Sequence, residues 1–314
     1  MNTLWPWIIF IVFVLALLAL DLGVFHRHPH PVRWREAAAW SAFWVALSLA
    51  FNLGIYWRYG AEAALQFFTS YLLENSLSTD NLFLFAVIFA SLGVATEYQH
   101  RVLFGGVMGA LVLRGAFIAA GVQLVRHFHG ILYLFAIFLI FMGLRFLRVQ
   151  GREYDPNRSR VVRLARKLFP ISDQYEGGHF FTRCDGRLCA TPLLLVLIMI
   201  EVVDLTFALD SIPAIFAITQ DAFIIFTSNV LAILGLRSLY FLLVRAMSRF
   251  QYLHTAMAVL LIFIGARMLL APWVSISTGI ALLGISLILG TAILASLLTV
   301  AKKCSAPTPR RLAP

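Results

Sequence analysis

Nine stretches of this chain are apolar over roughly 17 residues or more, the length at which a helix can cross the hydrocarbon core of a bilayer. They fall at about 4–20, 37–55, 63–95, 99–123, 130–147, 190–218, 222–244, 251–271 and 275–299. A chain built this way must satisfy its backbone polar groups inside helices, because that core holds no water to do it. Composition agrees: 61% of the 314 residues are hydrophobic and 13% charged, against about 45–50% and about 25% in a soluble domain. Three cysteines exclude a disulfide scaffold, and the apolar content excludes disorder. The first stretch has no basic residues ahead of it and no small-residue cleavage site behind it, so it is expected to stay as an anchor. The expectation is an all-α polytopic bundle of about nine transmembrane helices.

The net charge of +10 follows membrane topology rather than nucleic acid. With the N-terminus outside, the inner segments are 21–36, 96–101, 145–189, 245–250 and the C-terminal tail, and they hold 20 of the 25 Lys and Arg. The outer segments hold only Arg58, Arg126 and Arg267, while Arg114 and Arg237 lie within spans. That asymmetry is the positive-inside pattern, with the C-terminus cytoplasmic. Within the large inner loop, Asn157 to Phe169 reads as a short basic amphipathic helix on the anionic leaflet.

Five of the fifteen acidic residues lie deep in spans: Glu74 and Asp80 in the third, Glu201, Asp204 and Asp210 in the sixth. A mid-membrane acid costs about 2.5–3.5 kcal/mol even on a lenient scale, so such residues normally face the bundle interior and mark an ion or proton path. Arg114 and Arg237 can balance charge, but two arginines cannot neutralise five carboxylates. Both acid-bearing spans are also long for the membrane. The polar run Glu74 to Asn81 and the segment Asp210-Ser-Ile-Pro213 are expected to break them, since an unbroken helix would turn residues six apart to different neighbours.

The two acidic segments match each other. Glu74, Asp80 and Asn81 align with Asp204, Asp210 and Ser211. Leu113-Arg114 aligns with Leu236-Arg237, and residues 139–147 share six of nine identities with 261–269. Spans three to five therefore repeat as spans six to eight, and three spans per unit invert the second copy. The chain divides into two N-terminal helices (1–62), a first repeat (63–147), a basic cytoplasmic loop (148–189), a second repeat (190–271) and a last helix with a basic tail (272–314). Inverted repeats with broken helices are a recurring transporter design.

The candidate site offers carboxylates with Asn75, Asn81, Ser76, Ser78, Thr206 and Ser211 nearby. Oxygen donors suit hard dications such as Mn²⁺, Ca²⁺ or Mg²⁺, and five acids disfavour an oxyanion. His26, His28 and His30 read as a solvated loop. His179, Cys184 and Cys189 lack the short spacing of zinc sites, and Cys304 stands apart in the tail. Gly105 and Gly109 read as a helix-packing notch.

The run Glu74-Asn-Ser-Leu-Ser-Thr-Asp-Asn81, followed by Glu201-Val-Val-Asp204-Leu-Thr-Phe-Ala-Leu-Asp210-Ser211, resembles the paired signature of the TerC/Alx family of integral membrane proteins. The likeness spans roughly residues 1–300. It implies manganese(II) export across the bacterial inner membrane, with Glu74, Asp80, Glu201, Asp204 and Asp210 lining the route. Asn75, Asn81 and Ser211 would be auxiliary, and Arg114 and Arg237 charge-balancing. The expectation is a non-enzymatic transporter in the lipid bilayer that exchanges the metal for protons, with no permanent cofactor, Mn²⁺ as substrate and no protein partner assigned. The family's names also carry tellurium resistance and a redox-modulator role, which leaves a membrane scaffold or stress-response protein acting through partners as the alternative.

Overall fold

The computed structural model describes residues 4–25, 34–128, 130–148, 162–163, 170–172, 177–184, 187–244, 252–274 and 276–305. Among these, nine helices follow in order: α1 (Leu4–Phe25), α2 (Trp34–Tyr59), α3 (Ala61–Ser91), α4 (Thr96–His127), α5 (Ile131–Arg148), α6 (Pro192–Phe216), α7 (Ala222–Leu243), α8 (Leu253–Leu270) and α9 (Thr278–Ser305). Each coincides with an expected span to within a turn or two. Eight are long and apolar enough to cross a membrane, and α1 carries a shorter apolar segment, Leu4–Ala19. The chain is a multi-pass membrane protein. An antiparallel hairpin, β1 (Phe181–Cys184) and β2 (Arg187–Ala190), leads into α6. Most of the stretch Asn157 to Phe169, and His26, His28 and His30, lie outside the described residues, as do the side chains of Cys184 and Cys304.

The central helices are α3 and α7, whereas α2, α5 and α9 turn much of their surface outward. Local sequence sets several ends. Asp221 caps α7, its Oδ1 accepting from the backbone N–H groups of Phe223 at 2.9 Å and Ile224 at 3.3 Å. Arg267 caps the other end of α6, donating to the Ala217 carbonyl, and its Nη2 donates to the Ile276 carbonyl at 3.0 Å. Small residues let helices close in. On α4, a Cβ at Gly105 would stand 3.1 Å from Leu197, and one at Gly109 would land on the Glu201 carboxylate. The expected notch is the face that α4 presents to α6.

Helices α5 and α8 pack more extensively than any other pair, and they do so reciprocally. A Cβ at Gly143 would lie 2.7 Å from the Ala258 carbonyl oxygen and 2.6 Å from Ile262. A Cβ at Gly265 would lie 2.8 Å from the Ala136 carbonyl oxygen and 2.8 Å from Ile140. Each contact becomes the other on adding 122 to the α5 numbers, so the two helices are antiparallel and related by a local two-fold axis. This is the geometry an inverted repeat produces.

The expected breaks are absent. Helix α3 runs without interruption from Ala61 to Ser91, and α6 continues through Pro213 to Phe216. The polar run stays helical because its side chains bond to their own helix one turn back. Asn75 Nδ2 donates to the Tyr71 carbonyl at 2.9 Å, Ser76 Oγ to Leu72 at 2.6 Å and Thr79 Oγ1 to Asn75 at 2.8 Å. These groups are thus satisfied without unwinding the backbone. Pro213 falls in the last turn of α6, where little helix remains to be kinked.

Candidate functional site

Arg114, projecting from α4 and 2% exposed, organises the interior. Its Nε and Nη2 donate to the two carboxylate oxygens of Asp204 at 3.1 and 2.9 Å, a bidentate pair. Its Nη1 donates to Glu74 Oε1, and to Asn229 Oδ1 on α7 at 3.1 Å. Ser78 Oγ adds a bond to the same Glu74 oxygen at 2.9 Å. Glu74 and Asp204 are corresponding members of the two repeats, so one arginine bridges a symmetry-related pair of acids. Both arginines are expected to balance charge, and Arg114 holds this pair. Arg237 lies over the ring of Phe104 at 5.8 Å and, with Asp204, lines an internal cavity of about 20 Å³. That volume suffices for a single water molecule or ion.

The remaining acids are distributed around this centre. Glu201 lies within electrostatic reach of Asp204, in the space opened by Gly109. Because α3 is continuous, Asp80 is rotated away from Glu74, and its Oδ2 sits 3.2 Å from His254 Nδ1 on α8. Asp210 is 4% exposed and feels the charge of Arg145. Among the described residues, no three His, Cys, Asp or Glu side chains converge as they would around a single metal ion. The expected metal residues occupy one bundle interior, distributed along it rather than gathered at a point. Asn75 spends its amide on its own helix.

Four buried oxygens of candidate residues have no hydrogen-bond partner: Glu74 Oε2, Glu201 Oε2, Asn81 Oδ1 and Ser211 Oγ. Asn81 and Ser211 are again repeat-related, and each is 1% exposed. Buried polar atoms are rarely left unmet, so these oxygens are available to a water or an ion. His254 and Asn229 were missed from sequence. Asn229 stands in the polar run Thr227-Ser228-Asn229, and its two neighbours spend their hydroxyls on their own helix, so nothing local marks it out. His254 does carry a signal, since the repeat-equivalent position is Leu132 and the pair breaks the internal symmetry.

In the hairpin ahead of α6, Thr191 Oγ1 donates to the His179 carbonyl at 2.7 Å, and Cys189 is a buried free thiol. The register pairs Cys189 with Thr182 and Cys184 with Arg187, so the two cysteines are not opposite each other.

Membrane-spanning helices related by an internal two-fold, with an ion-paired and partly unsatisfied acidic interior, define a polytopic membrane protein with a charged core. Residues 59–305 match the model of the integral membrane protein TerC family, and the chain belongs to that family. A membrane protein of Myxococcus xanthus is 48% identical over 302 residues, 96% of this chain and 94% of its own. A Salmonella typhi protein provisionally named membrane-bound redox modulator Alx is 43% identical, covering 90% of this chain and 92% of its own. Its Escherichia coli K12 namesake is also 43% identical, at 87% and 88%. No solved structure matches.

Proposed function

We propose that the protein exports a divalent metal ion, manganese(II), across the bacterial inner membrane in exchange for protons. The observation that carries this reading is the set of unpartnered buried oxygens on Glu74, Asn81, Glu201 and Ser211. They are hard, oxygen-only donors in a membrane interior, suited to Mn²⁺, Ca²⁺ or Mg²⁺ rather than to copper or zinc. The choice of manganese among these rests on the resemblance to the TerC/Alx family.

In this reading Arg114 serves as an internal counter-ion. It occupies Glu74 and Asp204 when cargo is absent and yields them when a dication competes for the same oxygens. Arg237, the repeat counterpart of Arg114, takes the place of Arg114 in this reading when the two halves exchange conformations. Rocking of one repeat against the other then passes the acid pair from Arg114 to Arg237 and switches access from the cytoplasmic to the outer side. The N-terminus lies outside and the C-terminus in the cytoplasm in this reading. Carboxylates emptied of metal on the outer side take up protons for the return step.

The test is Mn²⁺ uptake into inside-out or reconstituted vesicles, with and without a pH gradient, for wild type, Asp80→Asn and Asp210→Asn. Gradient-dependent uptake that both substitutions abolish, in protein still inserted, is the expected result. Wild-type rates in either variant would overturn the site assignment. No uptake by folded wild type would instead favour a scaffold acting through partners, whose activity should survive loss of the acids and depend on the 148–189 loop.

A further inference from the structure

The export reading leaves selectivity unexplained. Carboxylates, amides and hydroxyls alone hold Mg²⁺ much as they hold Mn²⁺, because all their donors are hard oxygens. A nitrogen donor beside one of the acids would change this, and the fold supplies one. His254 is the second residue of α8, and its Nδ1 lies 3.2 Å from Asp80 Oδ2. The backbone carbonyl of Phe146 is also within hydrogen-bonding reach of the imidazole, whose ring packs on the Phe146 ring at 5.5 Å. The ring is therefore held by α3 and α5 together. It nevertheless stays 42% exposed, and the Asp80 side chain 11%.

A neutral imidazole has one N–H and one lone pair. An N–H given to the Phe146 carbonyl leaves the lone pair for a cation beside Asp80, and metal-binding histidines are characteristically oriented by such a backbone bond. Asn81, next in the chain, keeps a buried Oδ1 with no partner.

Resting on the export reading, we propose that Asp80 and His254 form the loading site of the pathway, where the imidazole nitrogen selects a transition-metal dication over Mg²⁺. Two protein ligands with water completing the shell suit a site that must pass its ion onward. The repeat supplies the complementary half of the argument. The offset of 122 that relates Gly143 to Gly265 relates His254 to Leu132, so the repeat does not duplicate this histidine at the corresponding helix start.

The experiment uses purified full-length protein labelled with ¹⁵N-histidine, loaded with Mn²⁺ alone and examined by pulsed EPR for coupling between manganese and imidazole nitrogen. The comparison is His254→Gln, which retains a polar group beside Asp80 and the other seven histidines. Coupling in wild type that disappears in His254→Gln is the expected result. In vesicles, the Mg²⁺ concentration that halves Mn²⁺ flux should fall about tenfold or more in the variant, the scale on which loss of even an outer partner of a metal site acts. Mn²⁺ transport with no histidine coupling, or with unchanged Mg²⁺ sensitivity in the variant, overturns the loading site and leaves the export reading standing. Failure of folded wild type to bind or move Mn²⁺ overturns both.

Discussion

Replacing Arg114 with glutamine leaves Glu74 and Asp204 facing one another in the bundle interior without a cation between them. At an effective dielectric of about 20, unit charges at the 2.9 Å separation of Arg114 Nη2 and Asp204 Oδ1 attract by about 6 kcal/mol. Desolvation of both groups consumes much of that gain, yet removing one partner of a buried pair still costs about 3–5 kcal/mol, because the other charge stays behind. Arg114 serves two carboxylates, so the upper part of that range is expected. Neutralising all three groups, as in Arg114→Gln with Glu74→Gln and Asp204→Asn, removes the stranded charges and should recover most of the loss. Reversible SDS titration in mixed micelles measures both variants and the intermediate doubles, and the cycle isolates the coupling. An Arg114→Gln protein as stable as wild type, or a triple variant less stable than the single one, would refute the counter-ion argument.

Other outcomes follow from the same geometry. Gly109→Ala drives a methyl group into the Glu201 carboxylate, so it should depress metal flux well below wild type while the protein remains in the membrane. Vesicle uptake with a matched insertion assay decides this, and full flux would remove Glu201 from the pathway. Gly143→Ala and Gly265→Ala each force a methyl against a backbone carbonyl at 2.7 and 2.8 Å, and each should cost about 1–3 kcal/mol. The local two-fold requires the two costs to be similar, and a clear inequality in the same titration would count against it. Arg237→Gln should abolish flux while the protein remains in the membrane, since the export reading passes the acid pair from Arg114 to this residue. Wild-type flux in that variant, read by the same vesicle uptake, would contradict the exchange of arginines between states.

The membrane class and the helix positions were legible in the sequence, because hydrocarbon imposes a length and an apolar composition on each span. The repeat is a reading of the sequence, in which Glu74 and Asp204, Arg114 and Arg237, and Gly143 and Gly265 recur in order, and the reciprocal glycine contacts of α5 and α8 agree with it. The acids announced themselves by their cost. What spacing misjudged was the backbone at Glu74 to Asn81, where polarity reads as a break. In the folded chain the side chains of Asn75, Ser76 and Thr79 bond one turn back, and the helix stays whole.

Partner choice belongs to the tertiary structure. Arg114 reaches across 40 residues to Glu74, 90 to Asp204 and 115 to Asn229, and His254 reaches 174 residues back to Asp80. Periodicity within one helix fixes which face a side chain occupies, but not which neighbouring helix that face meets. The sequence alone determined that acids and arginines must be buried together. Helix packing, through the glycine contacts of α4 with α6 and α5 with α8, decided that one arginine takes two acids while a histidine stands beside another.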